Sequence, residues 1–280
     1  KRAKTGEGLP DKETRTETED GSQAGTLPGE TLPEETGEDN SRTDEAVLPL
    51  HLIKGEQSDS YYKDDDYSNK LVEMKYGVIA LTEEDEEKYP ELAQALKKLS
   101  EENKNTLLTD YENLKTQAEE DLKAAKEGGY EVYTPYSTEC SFYVNRADNR
   151  VLSLGKSGYD YWGGAHGTGY STGYNYNART GEELRIRDVV TDMDTFAGLI
   201  EEKVYESGLT REDLFLDEEE TLKDYILRAA ADHTLNWEIT NEGVTVWFNP
   251  YEISYYAAGM PSGSVSFAGH PEVFSDYYAE

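Results

Sequence analysis

Hydrophobic positions are nearly absent from the start of the chain and periodic in the remainder. Residues 1–46 contain no aromatic residue and are dominated by Thr, Glu, Gly and Pro. Such a segment cannot bury enough apolar surface to offset the chain entropy lost on folding. We therefore predict a disordered acidic tether over residues 1–46 and a folded region that begins near Val47.

The first periodic stretch predicts a strand followed by a long helix. Every second residue from 72 to 80 is apolar, which indicates a half-buried strand. After Thr82, apolar residues recur at steps of three or four as far as Gly128-Gly129, which predicts a long amphipathic helix with a candidate break at residues 103–105. The predicted strand face consists of Val72, Met74, Tyr76, Val78 and Ala80. These elements form a predicted strand–helix subdomain, residues 47–129.

The rest of the chain predicts antiparallel strands with two further helices. We predict a meander over residues 130–176, a short strand at 184–190, helices at 191–207 and 217–232, a hairpin at 235–249 and a last strand at 263–267. The predicted fold class is therefore α+β, with antiparallel sheets, one long amphipathic helix and two further helices. The two α/β subdomains are expected to pack intimately, and the second spans residues 130–280.

Charge and cysteine content restrict the classes of partner. The chain has 59 acidic and 27 basic residues and a formal net charge of −32, which argues against nucleic acid and anionic membrane surfaces. A single cysteine, Cys140, excludes an internal disulfide and is predicted to be a buried bystander. No apolar run is long enough to span a membrane. Because the chain begins at Lys1, we expect a mature form whose membrane contact is limited to an anchor outside this chain.

Two segments carry the candidate chemistry. Glycines at residues 163–167, around His166, predict a tight turn between two strands. His166 is either a general base or pH-tuned contact, or a side chain that fixes the turn by bonding to backbone. Glu252 is constrained by the neighbouring Pro250 and could pair with His166 for acid–base work. Since no nucleophile is identifiable, we favour a structural hydrogen bond between the two segments and predict no enzyme, no catalytic residue and no cofactor.

An acidic cluster at residues 63–67 raises the question of a calcium site. A calcium loop that begins at Asp64 would place Asn69 where glycine is needed and Lys75 where the bidentate glutamate is needed. We therefore predict a solvated acidic turn and no metal site.

Tyrosines at even positions predict one tyrosine-rich face near the end of the meander. Tyr170, Tyr174 and Tyr176 are expected to pack in the sheet core, with an exposed platform for sugar rings as the alternative. Rings that face the long helix would indicate core packing, and rings that face solvent would indicate a sugar-binding platform.

Three motifs in order resemble a known family. They are Tyr161-Trp-Gly-Gly-Ala-His-Gly167, the segment at 180–188, and Asn249-Pro-Tyr-Glu-Ile253 with Tyr256-Ala-Ala-Gly259. They resemble a bacterial extracytoplasmic domain family of unclear general function, typified by the ectodomain of the anti-sigma-V factor, a lysozyme receptor. The resemblance covers about residues 130–278. Residues 70–130 are similar to a companion domain that is also found on a peptidoglycan deacetylase.

The resemblance implies a non-catalytic module held outside the cell by an anchor and a linker like residues 1–46. In receptor members a membrane helix and a sigma-binding segment would lie upstream of Lys1. Animal-type lysozymes are cationic, so electrostatic steering would favour their encounter with this anionic chain. The candidate binding residues are Tyr161, Trp162, Gly163, Gly164, His166, Tyr251, Glu252, Tyr255 and Tyr256.

The leading hypothesis is an exported cell-surface protein that binds or senses an extracellular partner such as lysozyme, or an envelope ligand such as a peptidoglycan fragment. The alternatives are a cell-envelope hydrolase that uses His166 and Glu252, and a wall-glycan-binding module.

Overall fold

The computed structural model describes residues 46–63 and 69–279, which contain eight strands and six helices. The strands are β1 (Leu52–Tyr62), β2 (Lys70–Leu81), β3 (Tyr136–Ala147), β4 (Val151–Tyr161), β5 (Thr168–Asn177), β6 (Asn236–Ile239), β7 (Gly243–Trp247) and β8 (Ser262–Ser266). The helices are α1 (Glu83–Lys88), α2 (Pro90–Gly128), α3 (Ile186–Val189), α4 (Met193–Glu206), α5 (Leu222–Ala231) and α6 (Asp276–Ala279). The predicted tether, apart from Ala46, and residues 64–67 of the predicted acidic turn lie outside the described residues.

The strands form two sheets, and the predicted α+β class is confirmed. The larger sheet has the order β1-β2-β3-β4-β5, and the smaller has the order β6-β7-β8. All neighbours are antiparallel except β2 and β3, which are parallel because α1 and α2 form a crossover between them. This parallel pair was not predicted. Strand β2 belongs to the first predicted subdomain and β3 to the second. The larger sheet therefore contains strands of both predicted subdomains.

Helix α2 confirms the predicted long amphipathic helix. It is about 58 Å long at 1.5 Å per residue, and its fully buried leucines pack against the larger sheet. The predicted break at residues 103–105 is wrong. The helix is interrupted instead at Pro90, whose ring and missing N–H do not allow α1 to continue. Asn103 is buried with its Nδ2 3.1 Å from Sγ of Cys140, which is itself buried as predicted.

Strands β1 and β2 depart from the predicted pattern. Strand β1 was not predicted, because its central residues from Ile53 to Asp59 are all exposed and show no alternation. In β2 the first half of the predicted face is buried, but Val78 is half-buried and Ala80 is exposed. Beyond Tyr76, Ile79 and Leu81 are the buried residues instead. The pairing of β3 with β2 ends at Tyr76, and helix α2 contacts the next part of β2, where Ser100 Oγ donates to Ile79 O at 3.1 Å.

Helices α4 and α5 pack with the smaller sheet around a second core. The predicted strand at 184–190 is wrong: it contains the one-turn helix α3, where Asp188 accepts a hydrogen bond from Arg185 N at 2.7 Å. Helix α5 begins at Leu222 rather than 217, because Thr221 and Asp224 cap it reciprocally. Within the predicted meander, residues 150–154 and 159–162 were expected to form two separate short strands, but a single strand, β4, replaces them.

The two sheets meet at a polar junction between β5 and β6. Asn175 Nδ2 donates to Trp237 O at 2.9 Å, and Ser153 Oγ donates to Asn175 Oδ1 at 2.7 Å. Ser153 Oγ in turn accepts from Ile239 N at 3.1 Å. Gly173 lies at the same junction, where a Cβ atom on this residue would be 2.1 Å from Trp237 O. The backbones of the two sheets are therefore in direct contact here.

A buried ion pair lies within the β3–β4 hairpin, and its arginine also bonds to the C-terminal segment. Arg146 Nε lies 2.6 Å from Asp148 Oδ2, and the two side chains are 2% and 8% exposed. Arg146 also donates to Tyr278 O at 2.6 Å. The second oxygen of Asp148 accepts from the backbone N–H groups of Arg150 and Val151 at 2.8 and 2.9 Å.

Candidate functional site

The hairpin of β4 and β5 ends in the turn at residues 162–167, as the glycine pattern predicts. Gly163 and Gly164 have φ angles of 93° and 89°, a region that side-chain-bearing residues rarely adopt. A Cβ atom on Gly163 would lie 2.7 Å from the Tyr136 hydroxyl. The first glycine is thus required both for its conformation and for its close packing.

Tyrosine hydroxyls tie this exposed turn to the sheet. Tyr161 Oη donates to Gly164 O at 2.9 Å, and Tyr159 Oη accepts from Gly167 N at 3.0 Å. Tyr256, which lies close to Glu252 in the second candidate segment, donates from its Oη to Gly167 O at 3.2 Å. The backbone of the turn is therefore held without being buried in a core.

The His166 side chain is exposed and fixes the turn. Its Nδ1 lies 2.9 Å from Gly167 O, and since a carbonyl only accepts, Nδ1 carries the proton in this hydrogen bond. The imidazole stacks on Tyr256 with ring centroids 4.5 Å apart and planes at 23°. This arrangement matches the alternative in which His166 bonds to the backbone.

Aromatic side chains of the turn and of residues 251–256 are mostly exposed, and Tyr256 is half-buried. We call Trp162, His166, Tyr251, Tyr255 and Tyr256 the aromatic patch. Trp162, Tyr251 and Tyr255 are 42%, 55% and 43% exposed. The rings of Tyr251 and Tyr256 lie 5.6 Å apart, so Tyr256 sits between Tyr251 and His166. Tyr251 has a φ angle of 68°, a left-handed conformation that is unusual for a bulky residue.

Asn249 docks the second segment on β5. Its Oδ1 accepts from Ser171 N at 2.7 Å, and its Nδ2 donates to Ser171 O at 3.0 Å. The side-chain amide therefore bonds to the strand as a neighbouring backbone would. This contact positions residues 249–256 beside the turn.

Glu252 points toward α5 and is held by two donors. Its Oε2 accepts from Asn249 N at 2.8 Å, and its Oε1 accepts from Tyr225 Oη at 3.1 Å. Burial raises the pKa of the Glu252 carboxyl, and the two hydrogen bonds oppose part of that shift. Burial, together with the nearby Glu252 charge, raises the pKa of Tyr225 to about 12.

The structure does not join His166 to Glu252. Neither a hydrogen bond nor an ion pair connects these two described residues, and each is engaged by different partners. The pair required by the hydrolase alternative is therefore not assembled. The structural hydrogen bond predicted between the two segments is confirmed, with other residues as its partners: Tyr256 Oη donates to Gly167 O, and the His166–Tyr256 stack adds a second contact.

The burial of Glu252 predicts a pH-dependent contribution to stability. Because its folded-state pKa is raised, its favourable contribution is present below the unfolded-state value of about 4.3 and is lost as pH rises through the folded value. Relative to Glu252→Gln, the wild-type free energy of unfolding should rise as pH falls from 7 toward 4.5, by at most about 1.4 kcal/mol per pH unit.

Urea unfolding of both proteins at several pH values measures this difference. Glu87→Gln, which changes an exposed glutamate of α1, serves as the control. A difference between wild type and Glu252→Gln that stays constant with pH would contradict the prediction.

The tyrosine-rich face of β5 lies inward. Tyr176 is buried, and Tyr170 and Tyr174 are half-buried. Tyr174 packs edge-on against Phe142 with centroids 6.4 Å apart, and Lys156 Nζ lies 5.7 Å from the Tyr170 ring centroid. These three residues do not form an exposed platform for sugars.

Sequence reasoning missed three tyrosines that position the site. Tyr136 packs under Gly163, Tyr159 bonds to the turn, and Tyr225 holds Glu252. Only Tyr159 carried a local signal, since it precedes Tyr161 by two residues and so lies on the same face of β4. The other two come from elements distant in sequence.

In residues 46–63 and 69–279, no group of three or more His, Cys, Asp and Glu side chains is arranged to hold a metal ion. Over the same residues, no helix combines the length and apolar character needed to cross a bilayer.

The fold and site define an α+β protein with an exposed aromatic surface on a glycine turn. Residues 82–168 match the family model described as Deacetylase PdaC, and residues 188–268 match the one described as Protein of unknown function (DUF3298). These matches confirm the resemblance to a domain family with a companion domain. The glycine turn lies at the end of the first match, and residues 249–256 lie in the second. Both families are typical of bacterial envelope proteins.

Solved structures share the fold. A DUF3298 family member from Bacteroides fragilis is 14% identical with a TM-score of 0.55, and the alignment covers 83% of this chain and 96% of that one. A DUF3298 family protein from Pseudomonas aeruginosa is 13% identical with a TM-score of 0.53, covering 82% and 96%. At these identities the likeness establishes the fold alone. No curated protein matches the chain.

Proposed function

We propose that this protein is an exported, non-catalytic binding module of the bacterial cell surface that holds a cationic extracellular protein, such as lysozyme, at the aromatic patch. The observation that carries the proposal is the patch itself, whose exposed rings sit beside a turn fixed by tyrosine hydroxyls. Rigid aromatic side chains supply contact area at little entropic cost, and they dominate many protein interfaces.

The charge of the chain supports a cationic partner. A formal net charge of −32 attracts positively charged proteins and accelerates their encounter. The family matches support a place in the cell envelope.

The engagement of the polar groups supports binding without chemistry. His166 Nδ1 is bonded to Gly167 O, and both oxygens of Glu252 accept hydrogen bonds from other groups. Neither residue is therefore paired for proton transfer with the other. We expect no hydrolytic turnover of envelope substrates.

A wall-glycan ligand is the second candidate. Exposed Trp162 and Tyr255 offer faces on which pyranose rings of a peptidoglycan fragment could stack. This candidate uses the same patch, so one set of variants tests both.

Calorimetry with animal-type lysozyme tests the proposal. We expect binding that persists at physiological salt and that cytochrome c, an unrelated cationic protein, does not reproduce. The Trp162→Ala, Tyr255→Ala double variant should weaken binding at least about 30-fold, equivalent to about 2 kcal/mol.

Tyr277→Ala provides the matched control. Tyr277 is 39% exposed, close to the value of Tyr255, but it lies against Arg150, next to the start of β4, whereas the patch lies beyond the end of β4. This variant should bind like wild type. Binding that cytochrome c reproduces, or that vanishes with salt, would overturn the lysozyme proposal. Patch-dependent binding of peptidoglycan fragments alone would establish the second candidate.

A further inference from the structure

Among residues 46–63 and 69–279, the outer edge of β1 is open. Strand β1 is the first strand of the larger sheet, and within the described residues no other strand pairs with its outer side. The opposite edge strand, β5, is covered by contacts with β6 and Asn249. A long exposed edge is a template for pairing with another chain.

The register between β1 and β2 determines which backbone groups face outward. Thr82 N donates to His51 O, and the pairing continues from Leu52 opposite Leu81. In an antiparallel ladder, alternate residues bond to the neighbouring strand. The odd-numbered residues of β1 therefore bond to β2, and even-numbered residues such as Lys54 and Glu56 offer their N–H and C=O groups to the open side.

A second copy can meet these groups only in certain registers. Two β1 strands related by a two-fold axis run antiparallel, so even-numbered residues must face even-numbered residues. An axis at Glu56 would set two glutamates opposite each other, and an axis at Lys54 would set two lysines opposite each other. An axis at Gly55 places Lys54 opposite Glu56 of the second copy, twice. No other two-fold register within β1 faces opposite charges, since Lys54 and Glu56 are the charged residues among its even positions.

We infer that two copies of this chain associate through β1 in the antiparallel register centred on Gly55. The two five-stranded sheets become one continuous sheet, and two Lys54–Glu56 pairs fix the register. Gly55 lies on the axis in a pair that is not hydrogen bonded, where the strands come within about 4.5 Å and the absence of a side chain avoids crowding. Exposed Ile53 then faces Gln57 of the second copy and loses contact with water.

The overall charge opposes this association. Each copy carries a formal net charge of −32, and the repulsion between copies is screened at physiological salt. The dimer should therefore strengthen from low to physiological salt. This direction is opposite to that expected if only the two ion pairs held the copies together.

Charge exchange tests both the association and its register. Sedimentation velocity over a range of protein concentrations measures the dimer dissociation constant. Lys54→Glu should raise that constant by about tenfold or more, since it sets glutamates opposite each other at both pairs. The double variant Lys54→Glu, Glu56→Lys should restore the wild-type value within about threefold. Lys123→Glu, with the same charge change at an exposed position of α2, should leave it near the wild-type value.

Engineered cysteines provide a second readout that does not depend on charge. In the inferred register, residue 53 faces residue 57 of the other copy. An oxidised mixture of Ile53→Cys and Gln57→Cys proteins should form a crosslinked heterodimer, and neither protein alone should crosslink through these positions. The native thiol, Cys140, is buried and adds little background. Circular dichroism confirms that each variant is folded. A monomeric wild type, or a double exchange that fails to restore association, would overturn the inference.

Discussion

Gly173→Ala should lower the free energy of unfolding by about 3 kcal/mol or more. The new Cβ atom would lie 2.1 Å from Trp237 O and 3.0 Å from the terminal ring carbon of Trp247. Trp237 O belongs to the backbone of β6, so it cannot rotate away as a flexible side chain would. The substitution must therefore separate β5 from β6 and disturb the Asn175–Trp237 hydrogen bond beside it.

Gly169→Ala is the matched control on the same strand. The nearest atom to a Cβ at Gly169 is Gly158 O, 3.9 Å away, so no displacement is required. Its effect on unfolding should stay within about 1 kcal/mol. Urea denaturation followed by tryptophan fluorescence measures both variants. Equal stability of the two would mean that the sheets do not approach as closely as described.

Asp148→Ala should cost about 3–5 kcal/mol of stability. It leaves the guanidinium of Arg146, whose side chain is 2% exposed, without its carboxylate partner. It also removes the acceptor for two backbone N–H groups at the start of β4. An unpaired buried charge is far more costly than the loss of an exposed ion pair.

Two comparison variants test whether the loss of stability comes from the unpaired buried charge of Arg146. Glu102→Ala breaks the exposed Lys98–Glu102 pair and should change stability by less than about 0.5 kcal/mol. The double variant Arg146→Met, Asp148→Ala should be more stable than Asp148→Ala alone, because it removes the stranded charge. Chemical denaturation measures all three. A double variant that is no more stable than Asp148→Ala would contradict this account.

Elements with a strong local pattern were predictable from the sequence. The leucines of α2, the apolar stripe of α4 and the hairpin of β6 and β7 each carry their period within a few residues. Strand β1 lacks such a pattern because its middle is exposed on both faces. The parallel pairing of β2 with β3 depends on where the α1–α2 crossover delivers the chain, which no local pattern encodes.

The candidate site also contains features that were predictable from the sequence and features that were not. The glycine turn was predictable because positive φ angles select glycine at positions 163 and 164. The partner of Glu252 was not, since Tyr225 lies on α5 and reaches the carboxylate only in the folded chain. The stacking of His166 on Tyr256 likewise joins residues that share no sequence pattern. Local conformation and a hydrogen bond between the two segments were therefore predictable, but the residues that form the contacts between distant segments were not.

The backbone at Tyr251 adopts a conformation that lowers stability. A left-handed φ of 68° costs a bulky residue about 1–2 kcal/mol, whereas glycine adopts it freely. The Tyr251 ring is largely exposed, so packing in a core does not repay this strain. A chain shaped for stability alone would carry glycine here. This strain supports the proposal that residues 249–256 form a binding surface.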